Sequence, residues 1–488
     1  MGARVVPVAN PQVRYEHLGG EPPKFKGAFK QYILFGLALT LVVLLVLVTA
    51  YNGWEEFSQA EKKLKADDVD FVMYGPVRTE LGVQGIQERR ADVYAKAFNR
   101  KHQFLSKSSN TANVKPDDEQ LLPQATENRS SPTPEGFKFV CYYALPSNTS
   151  MLEANTLKPN DLDAHLCTHI NLAFASVSRN RLVPTNPYDI ESYKQVNQLK
   201  IQNPRLKVLL SVNGDMSQVI QNHASRKSFI KSALDVLSQH NFDGLDIDWE
   251  FPDDAWKFMI LLAEFRQEFG DRYLLTAAVA APQTIVDLSY KINVMSRYVD
   301  WVNIMTYDFH FYTRYTPWTG LNSPLFSGPA DKGVFSNLNT NWTAHYWMEN
   351  GMPRQKIVIG IPTYGHTFKL VNKKNSGLYA PSSSFGEVGG SGGFIDYGDV
   401  CTFLTTGDVT QVFDRSTRAP FAFKNYDWVS YDDERSVAYK AEFVTNKGFG
   451  GAMIWALNSD DHKGSCYQSG IRFPLANRIK NVLTDDQL

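Results

Sequence analysis

Residues 243–250 read DGLDIDWE, and this stretch decides the fold more directly than any other part of the 488-residue chain. Acidic and apolar side chains alternate along it, so Asp246, Asp248 and Glu250 share one face of a strand. Amphipathic helical patterns lie on both sides of the stretch. A strand between two helices is typical of a parallel sheet whose two faces are covered. We therefore expect the apolar face to pack on helices and the three acids to point inward.

Short apolar runs recur through the C-terminal part of the chain, and helical patterns such as 226–241 and 255–270 separate them. The runs lie at 137–143, 169–175, 207–212, 244–250, 274–280, 301–307, 357–361 and 451–456. Eight strands alternating with helices predict an α/β fold, a parallel (β/α)8 or TIM barrel, over 137–475. The longest interruption, 366–437, predicts a small α+β subdomain inserted between strands seven and eight. A doubly wound open sheet is the alternative, but it would need a glycine-rich phosphate loop after the first strand, where the chain reads CYYALPSN.

Three carboxylates on one inward face are costly to bury. At a spacing of about 6.6 Å they cannot all ionise freely, so we expect a coupled set with at least one proton held near neutral pH. On an edge strand the same residues would simply be solvated. Glu250 is the last of the three and falls at the C-terminal mouth, where barrel enzymes place their chemistry. The pattern therefore favours general acid catalysis at the mouth of a barrel.

The stretch DGLDIDWEFP resembles the DxxDxDxE signature of glycoside hydrolase family 18, the chitinases and chitinase-like lectins. Other segments are similar to family motifs in the same order and spacing: HINLAFAS, KVLLSVNG, NIMTYDFH, IGIPTYGHTF and GGAMIWALNSDD. The resemblance covers residues 137 to about 475. The interruption before strand eight resembles the chitinase insertion domain of animal members.

The resemblance implies a retaining, substrate-assisted hydrolysis, in which the N-acetyl group of the substrate attacks the sugar C1. Glu250 would protonate the leaving oxygen and later activate water. Asp248 would orient the acetamide and offset the oxazolinium charge, and Asp246 would share a proton with Asp248. Tyr307 would donate a hydrogen bond to the acetamide carbonyl. No cofactor or metal is implied, and the sequence has no His and Cys cluster typical of a metal site.

Further residues match sugar-contacting positions of the family. They are Tyr142, Met305, Asp308, Tyr364, Met453 and Trp455. Trp455 would offer a flat apolar floor to a sugar ring, although a tryptophan in a barrel is also commonly a core residue. The resemblance also implies the disulfides Cys141–Cys167 and Cys401–Cys466. Four free buried thiols are the alternative, which fits an oxidising compartment less well.

The chain departs from the family pattern mainly around its sugar-stacking positions. The chain has Asn213 where the family has glycine, Asp215 where it commonly has tryptophan, and Leu145 and Pro146 near the position of another family tryptophan. It also has Phe311 in place of glycine, His366 in place of arginine and Asn458 in place of aspartate. All residues of the catalytic set are present, whereas tryptophans are replaced at the sugar-stacking positions. We therefore expect weaker binding of long chitin chains rather than loss of bond cleavage.

These observations predict a hydrolase of β-1,4-linked N-acetylglucosamine oligomers or chitin. A non-catalytic lectin of the same fold is the main alternative, and non-enzymatic members often lose the acid at the position of Glu250. A hydrolase of the N-acetylglucosamine core of N-glycans is a second alternative, for which a shortened cleft would be suited. Nucleic-acid binding is not expected, because 50 Lys and Arg face 51 Asp and Glu, a net charge of -1.

A membrane segment is predicted near the N-terminus. Residues 32–51, YILFGLALTLVVLLVLVTAY, carry no charge and would span about 30 Å as a helix. Basic residues predominate in 1–31 and acidic residues in 52–70. The positive-inside rule then predicts a cytoplasmic tail at 1–31, a signal anchor, and a type II membrane protein with its main domain outside or in the lumen. A cleaved signal peptide is the alternative, since residues 48–50 resemble a cleavage site.

The remaining segments agree with that arrangement. Residues 52–136 are predicted to be a partly disordered stalk, because 102–136 is polar and rich in Ser, Pro and Asn. Three sequons for N-glycosylation fit a lumenal or extracellular side: Asn128, Asn148 and Asn341. Residues 476–488 are expected to form a C-terminal tail.

The charge distribution and the sequons generate a prediction about topology. In sealed vesicles that carry the full chain, the C-terminal domain should resist added protease and should bear N-glycans. Detergent should make the domain digestible, and removal of N-glycans should lower its apparent mass. Complete digestion of the domain in intact vesicles would overturn the predicted orientation.

Overall fold

The described part of the chain contains the predicted barrel. The computed structural model describes residues 136–146, 156–466 and 470–485. The cytoplasmic tail, the membrane segment 32–51 and the stalk lie outside the described residues, as do the sequons at Asn128 and Asn148. Within the described residues, no helix is long and apolar enough to cross a bilayer.

The strands form two sheets. The strands are β1 (Lys138–Ala144), β2 (His169–Ser178), β3 (Arg181–Pro184), β4 (Lys207–Asn213), β5 (Gly244–Asp248), β6 (Leu274–Ala280), β7 (Trp301–Met305), β8 (Ile357–Pro362), β9 (Tyr364–Leu370), β10 (Ser382–Ser384), β11 (Phe394–Asp396), β12 (Thr410–Asp414), β13 (Ala419–Lys424), β14 (Asp427–Ser430) and β15 (Gly451–Trp455). β1, β2, β4 to β8 and β15 pair in parallel in the order β1-β15-β8-β7-β6-β5-β4-β2. β1 also pairs with β2, so these eight strands close into a barrel. The predicted parallel (β/α)8 barrel is confirmed.

Helices cover the outside of the barrel. They are α1 (Asp189–Gln202), α2 (His223–Gln239), α3 (Ala255–Phe269), α4 (Gln283–Ser289), α5 (Ile292–Met295), α6 (Thr340–Glu349), α7 (Tyr397–Thr405), α8 (Glu434–Lys447) and α9 (Pro474–Asp485). Local sequence sets the helix ends. Asp254 caps α3 by accepting the Lys257 N–H at 3.0 Å, and α8 ends at Gly448, whose φ of 66° suits glycine. Because helices and barrel interior cover both faces, strands such as β5 and β8 are buried throughout.

A second sheet is formed between the seventh and eighth barrel strands. Its strands β9 to β14 are antiparallel, in the order β10-β9-β14-β13-β12, with β11 also pairing with β9. The sheet spans 364–430, whereas the sequence predicted an insertion at 366–437. The difference at the C-terminal end arises because α8 packs on β8 and β15 and therefore belongs to the barrel.

The segment 476–488, which the sequence predicted to be a C-terminal tail, is mostly helical in the structure. Most of this segment lies in α9, which packs against α8, and so it does not form a free tail. Leu475, Ile479 and Leu483 recur every four residues on one helix face, and all three are buried. The sequence pattern does not indicate this helix, because the apolar stripe is short and follows irregular sequence.

Both implied disulfides are present. Cys141 of β1 is bonded to Cys167, which precedes β2, with 6.1 Å between their Cα atoms. Cys401 of α7 is bonded to Cys466, which follows β15, with a Cα separation of 5.0 Å. The first bond ties neighbouring barrel strands together. The second ties the inserted segment to the chain that leaves the barrel.

A buried carboxylate caps the last helix. Asp460, after β15, accepts the N–H groups of Ala476 at 2.9 Å and of Leu475 at 3.4 Å. Burial raises the pKa of Asp460 to about 7, the hydrogen bonds oppose this increase, and neighbouring Asp461 adds to it. The folded domain therefore retains a proton on Asp460 at pH values where the unfolded chain has released it.

This retained proton predicts a pH-dependent stability. Because the unfolded chain binds fewer protons than the folded one between about pH 4 and 7, the free energy of unfolding should fall as pH rises through this window. The slope contributed by Asp460 should be at most about 1.4 kcal/mol per pH unit. Chemical denaturation of Asp460→Asn should show a smaller fall between pH 6 and 7, and the exposed control Asp408→Asn should behave like the wild type. An unchanged slope in Asp460→Asn would contradict the assignment.

Candidate active site

The acids of β5 occupy the barrel interior, as the period-two pattern predicted. Asp246 and Asp248 are almost completely buried, and Glu250 is 8% exposed. The strand ends at Asp248, two residues earlier than the sequence indicated, so Glu250 lies just beyond it. The exposure of the three acids therefore increases toward the C-terminal mouth, and Glu250 is the one that solvent and a ligand can reach.

The Asp246 carboxyl group accepts hydrogen bonds from side chains of four other barrel strands. Its Oδ2 accepts hydrogen bonds from the hydroxyls of Tyr142 and Ser211, both at 2.7 Å. Its Oδ1 accepts from the Thr276 hydroxyl at 2.5 Å and from the Asn303 amide at 3.2 Å. Burial raises the pKa of Asp246, and these four hydrogen bonds oppose the increase. The carboxyl group is thus held at one position within the barrel.

Three of these partners were missed in the sequence. Ser211, Thr276 and Asn303 are completely buried polar residues in otherwise apolar strands. Buried polar groups require partners, so a polar residue in a fully buried strand is itself a signal. Asn171 of β2 is likewise polar and completely buried, so it gives the same signal.

Tyr142 links the acids to the predicted sugar floor. Burial raises its pKa well above the ordinary range, and the charges of Asp246 and Asp248 add to this effect, so its hydroxyl remains a donor. Its ring lies 5.3 Å from that of Trp455. Trp455 is 2% exposed and stacks on half-buried Phe174 at 5.5 Å. This exposure fits both a sugar floor and a core residue. Phe174, which sequence reasoning missed, lies at the same end of the barrel.

Tyr307, Met305 and Met453 complete the apolar wall of the interior. All three are buried beside Tyr142 and Trp455. Gly360 of β8 makes room for them, because a Cβ atom there would lie 2.9 Å from Tyr307 Cε1 and 3.1 Å from Met453 Cε. A side chain at position 360 would therefore displace the tyrosine that the family resemblance assigns to the acetamide.

Asp308 forms a compact cluster with two side chains of β9. His366 Nε2 lies 2.8 Å from Asp308 Oδ1, and the Tyr364 hydroxyl donates to the same oxygen. The Tyr364 ring stacks on Phe394 at 4.5 Å, and Phe311 lies 5.5 Å from His366. The replacement of arginine by His366 thus retains a hydrogen-bonding partner for Asp308.

Other departures from the family pattern also have visible contacts. The Asn458 side chain accepts the Ala144 N–H at 2.8 Å and donates to the Ala144 carbonyl at 3.0 Å, which joins the chain after β15 to the end of β1. Asp215 is exposed and accepts hydrogen bonds from Ser217 in its own loop. Leu145 is buried in the core. Neither Asp215 nor Leu145 presents a ring to the mouth of the barrel.

Asn341, the one sequon among the described residues, lies at the start of α6. Its side chain is half-buried, and the Thr343 hydroxyl is buried and donates to the Ala281 carbonyl at 3.4 Å. Glycosylation of Asn341 stays a prediction.

A crevice of about 40 Å³ lies apart from the acids, between the segment that follows β7 and the second sheet. Its lining includes His310, Asp331, Phe335 and Tyr379. The acids of β5 are not among its lining residues, so it is separate from the candidate catalytic site. In the described ranges, no group of three or more His, Cys, Asp and Glu residues is arranged to hold a metal ion.

Comparisons with known proteins agree with this geometry. The family model described as Glycosyl hydrolases family 18 matches residues 138–460. Chitinase-3-like protein 2 of Homo sapiens is 36% identical over 367 residues, covering 71% of this chain and 93% of that protein. Chitotriosidase-1 of Mus musculus is 33% identical over 372 residues, covering 71% and 78%. A solved structure of human YKL-39, described as a pseudo-chitinase with retained chitooligosaccharide binding properties, has a TM-score of 0.67 and 35% identity and covers 71% of this chain and 99% of that chain. The chain belongs to glycosyl hydrolase family 18.

Proposed function

We propose that the chain is a chitinase-type hydrolase that cleaves β-1,4-linked N-acetylglucosamine oligomers or chitin with retention. The observation that carries the proposal is the complete acidic face of β5. Glu250 is 8% exposed at the mouth, while Asp246 and Asp248 are almost completely buried behind it. A structural barrel strand gains nothing from three buried acids, whereas acid catalysis requires a carboxyl group that can transfer a proton to the substrate.

The proposed mechanism assigns one step to each group. Glu250 protonates the leaving glycosidic oxygen, and the acetamide oxygen of the substrate attacks C1 and forms an oxazolinium ion. Asp248 orients the acetamide N–H and offsets the positive charge, and Tyr307 donates a hydrogen bond to the acetamide carbonyl. Glu250 then takes a proton from water, which attacks C1 from the face that the leaving group left. Two inversions at C1 give overall retention.

Asp246 has a supporting role in this scheme. It lies one strand period before Asp248 on the same face, and burial raises its pKa. A proton shared by the two carboxyls lowers their mutual repulsion before the oxazolinium ion forms. As positive charge develops at the substrate, the proton moves to Asp246, so Asp248 faces the ion as a carboxylate.

A non-catalytic lectin is the second candidate. Human YKL-39, whose solved structure resembles this chain, is described as a pseudo-chitinase with retained chitooligosaccharide binding properties. The aromatic and methionine wall around Tyr142 and Trp455 would suit binding alone. Glu250 favours catalysis, because non-enzymatic members of the family often lose the acid at this position.

Hydrolysis within the N-acetylglucosamine core of N-glycans is a third candidate. It would suit a short cleft, and Asp215 and Leu145 supply no stacking ring where the family commonly has tryptophan. We also propose that the domain is held by the segment 32–51 on the extracellular or lumenal side of a membrane. The two disulfides support an oxidising compartment.

The proposal predicts a specific separation of catalysis from binding. Glu250→Gln keeps the shape of the side chain and removes its transferable proton, so kcat on a chromogenic trimer should fall by about 10²–10⁴-fold. The affinity for N-acetylglucosamine oligomers, measured by titration calorimetry, should change little. The matched control is Glu268→Gln on the exposed face of α3, which should leave both quantities unchanged.

Two results would decide against the proposal. Wild-type protein that binds oligomers of every length and cleaves none would favour the lectin. Turnover that is unchanged in Glu250→Gln would remove Glu250 from the role of acid.

A further inference from the structure

Beyond Asp248, the acidic strand β5 leaves its neighbour β6. The last paired residues of the two strands are Asp248 and Ala278, and the same register would next pair Glu250 with Ala280. The Tyr290 hydroxyl occupies this position instead. It accepts the Ala280 N–H at 3.3 Å and donates to the Glu250 carbonyl at 2.9 Å. One hydroxyl thus replaces the backbone hydrogen bonding that the sheet no longer provides.

The Tyr290 side chain is itself firmly held. It is 4% exposed, and its ring lies 5.4 Å from Trp347 and 6.4 Å from Phe258. The Trp347 indole N–H donates to the Ala280 carbonyl at 3.3 Å. Side chains therefore satisfy both backbone groups of Ala280, and the packed rings fix the point at which the tyrosine hydroxyl meets the backbone of Glu250.

The opposite side of the same backbone has a second anchor. The Asn213 amide, at the end of β4, donates to the Asp248 carbonyl at 3.2 Å. Asn213 stands where the family pattern has glycine, which has no side chain to form this bond. The backbone is consequently held on both sides of the point where it leaves the sheet, by Asn213 at Asp248 and by Tyr290 at Glu250.

We propose that Tyr290 is a positioning residue for Glu250, and that its hydroxyl sets the place of the catalytic acid at the mouth of the barrel. The inference rests on the proposed function, because it concerns how the acid is presented to a glycosidic oxygen. Tyr290 acts on the backbone of Glu250. A misplacement of a catalytic group by about 1 Å can cost on the order of 10²-fold in rate, so a single backbone hydrogen bond at this point affects catalysis.

The test is Tyr290→Phe in the full chain, which removes the hydroxyl and keeps the ring. With a chromogenic trimer as substrate, kcat should fall on the order of 10- to 100-fold while KM changes by less than about twofold, since oligomer binding does not involve the hydroxyl. Asn213→Ala removes the second anchor at a half-buried position and should lower kcat by a smaller factor. Asn213→Ala also keeps the test decisive if Tyr290→Phe does not fold.

Tyr143→Phe is the matched control. Tyr143 is fully buried in β1, and its hydroxyl donates to the Leu157 carbonyl at 2.9 Å. Both substitutions remove one buried hydroxyl that is bonded to a backbone carbonyl, so both should lower the melting temperature. Only Tyr290→Phe should lower kcat. Equal kcat values in wild type and Tyr290→Phe, or equal losses in the two variants, would overturn the inference while leaving the proposed function in place.

Crystal structures of the two variants separate this inference from the proposed function. If the wild-type chain cleaves nothing, the proposed function fails, and the position of the Glu250 backbone still tests the anchor. A shift of the Glu250 Cα atom by more than about 0.5 Å in Tyr290→Phe, with no shift in Tyr143→Phe, would support the anchor. Superimposable Glu250 atoms in both variants would contradict it.

Discussion

The domain depends on how one buried carboxyl group, that of Asp246, is accommodated. A carboxylate inside a barrel is unfavourable unless donors surround it. Tyr142, Ser211, Thr276 and Asn303 provide those donors from four different strands. Closure of the barrel therefore also satisfies the buried carboxyl group, because the strands that close the barrel bring its hydrogen-bond donors together. Glu250, which is 8% exposed, lies beyond this polar centre at the rim of the barrel.

Distant parts of the chain support the segments that carry the site. The Lys440 ammonium group is completely buried and lies 2.7 Å from Asp432 Oδ1 and 2.7 Å from Ser323 Oγ. Ser323 in turn donates to the Thr306 carbonyl at 2.7 Å, immediately before Tyr307. Burial lowers the pKa of Lys440, and the charge of Asp432 opposes this decrease. A buried ion pair thus fixes the backbone next to the tyrosine that is proposed to bind the acetamide.

The sequence could predict those features that follow from local period or from motif order. Alternation in 243–250 predicted the inward acids, and apolar runs between helical patterns predicted the barrel. It could not predict that Tyr290 meets the backbone of Glu250, or that Asn458 bridges to Ala144, because such contacts join segments 40 and 314 residues apart and have no local period. The helix at the C-terminus was missed because its apolar stripe is short.

The central claim is that cleavage proceeds by two displacements at C1, with an intermediate formed before water attacks and with Glu250 transferring the proton. The anomeric form of the first product tests this claim most directly. Hydrolysis of the N-acetylglucosamine trimer should be followed by proton NMR from the earliest time points, before the product equilibrates in water. The account predicts that the β-anomer appears first and that the α-anomer follows only by mutarotation. Initial formation of the α-anomer, which requires direct attack by water, would contradict it.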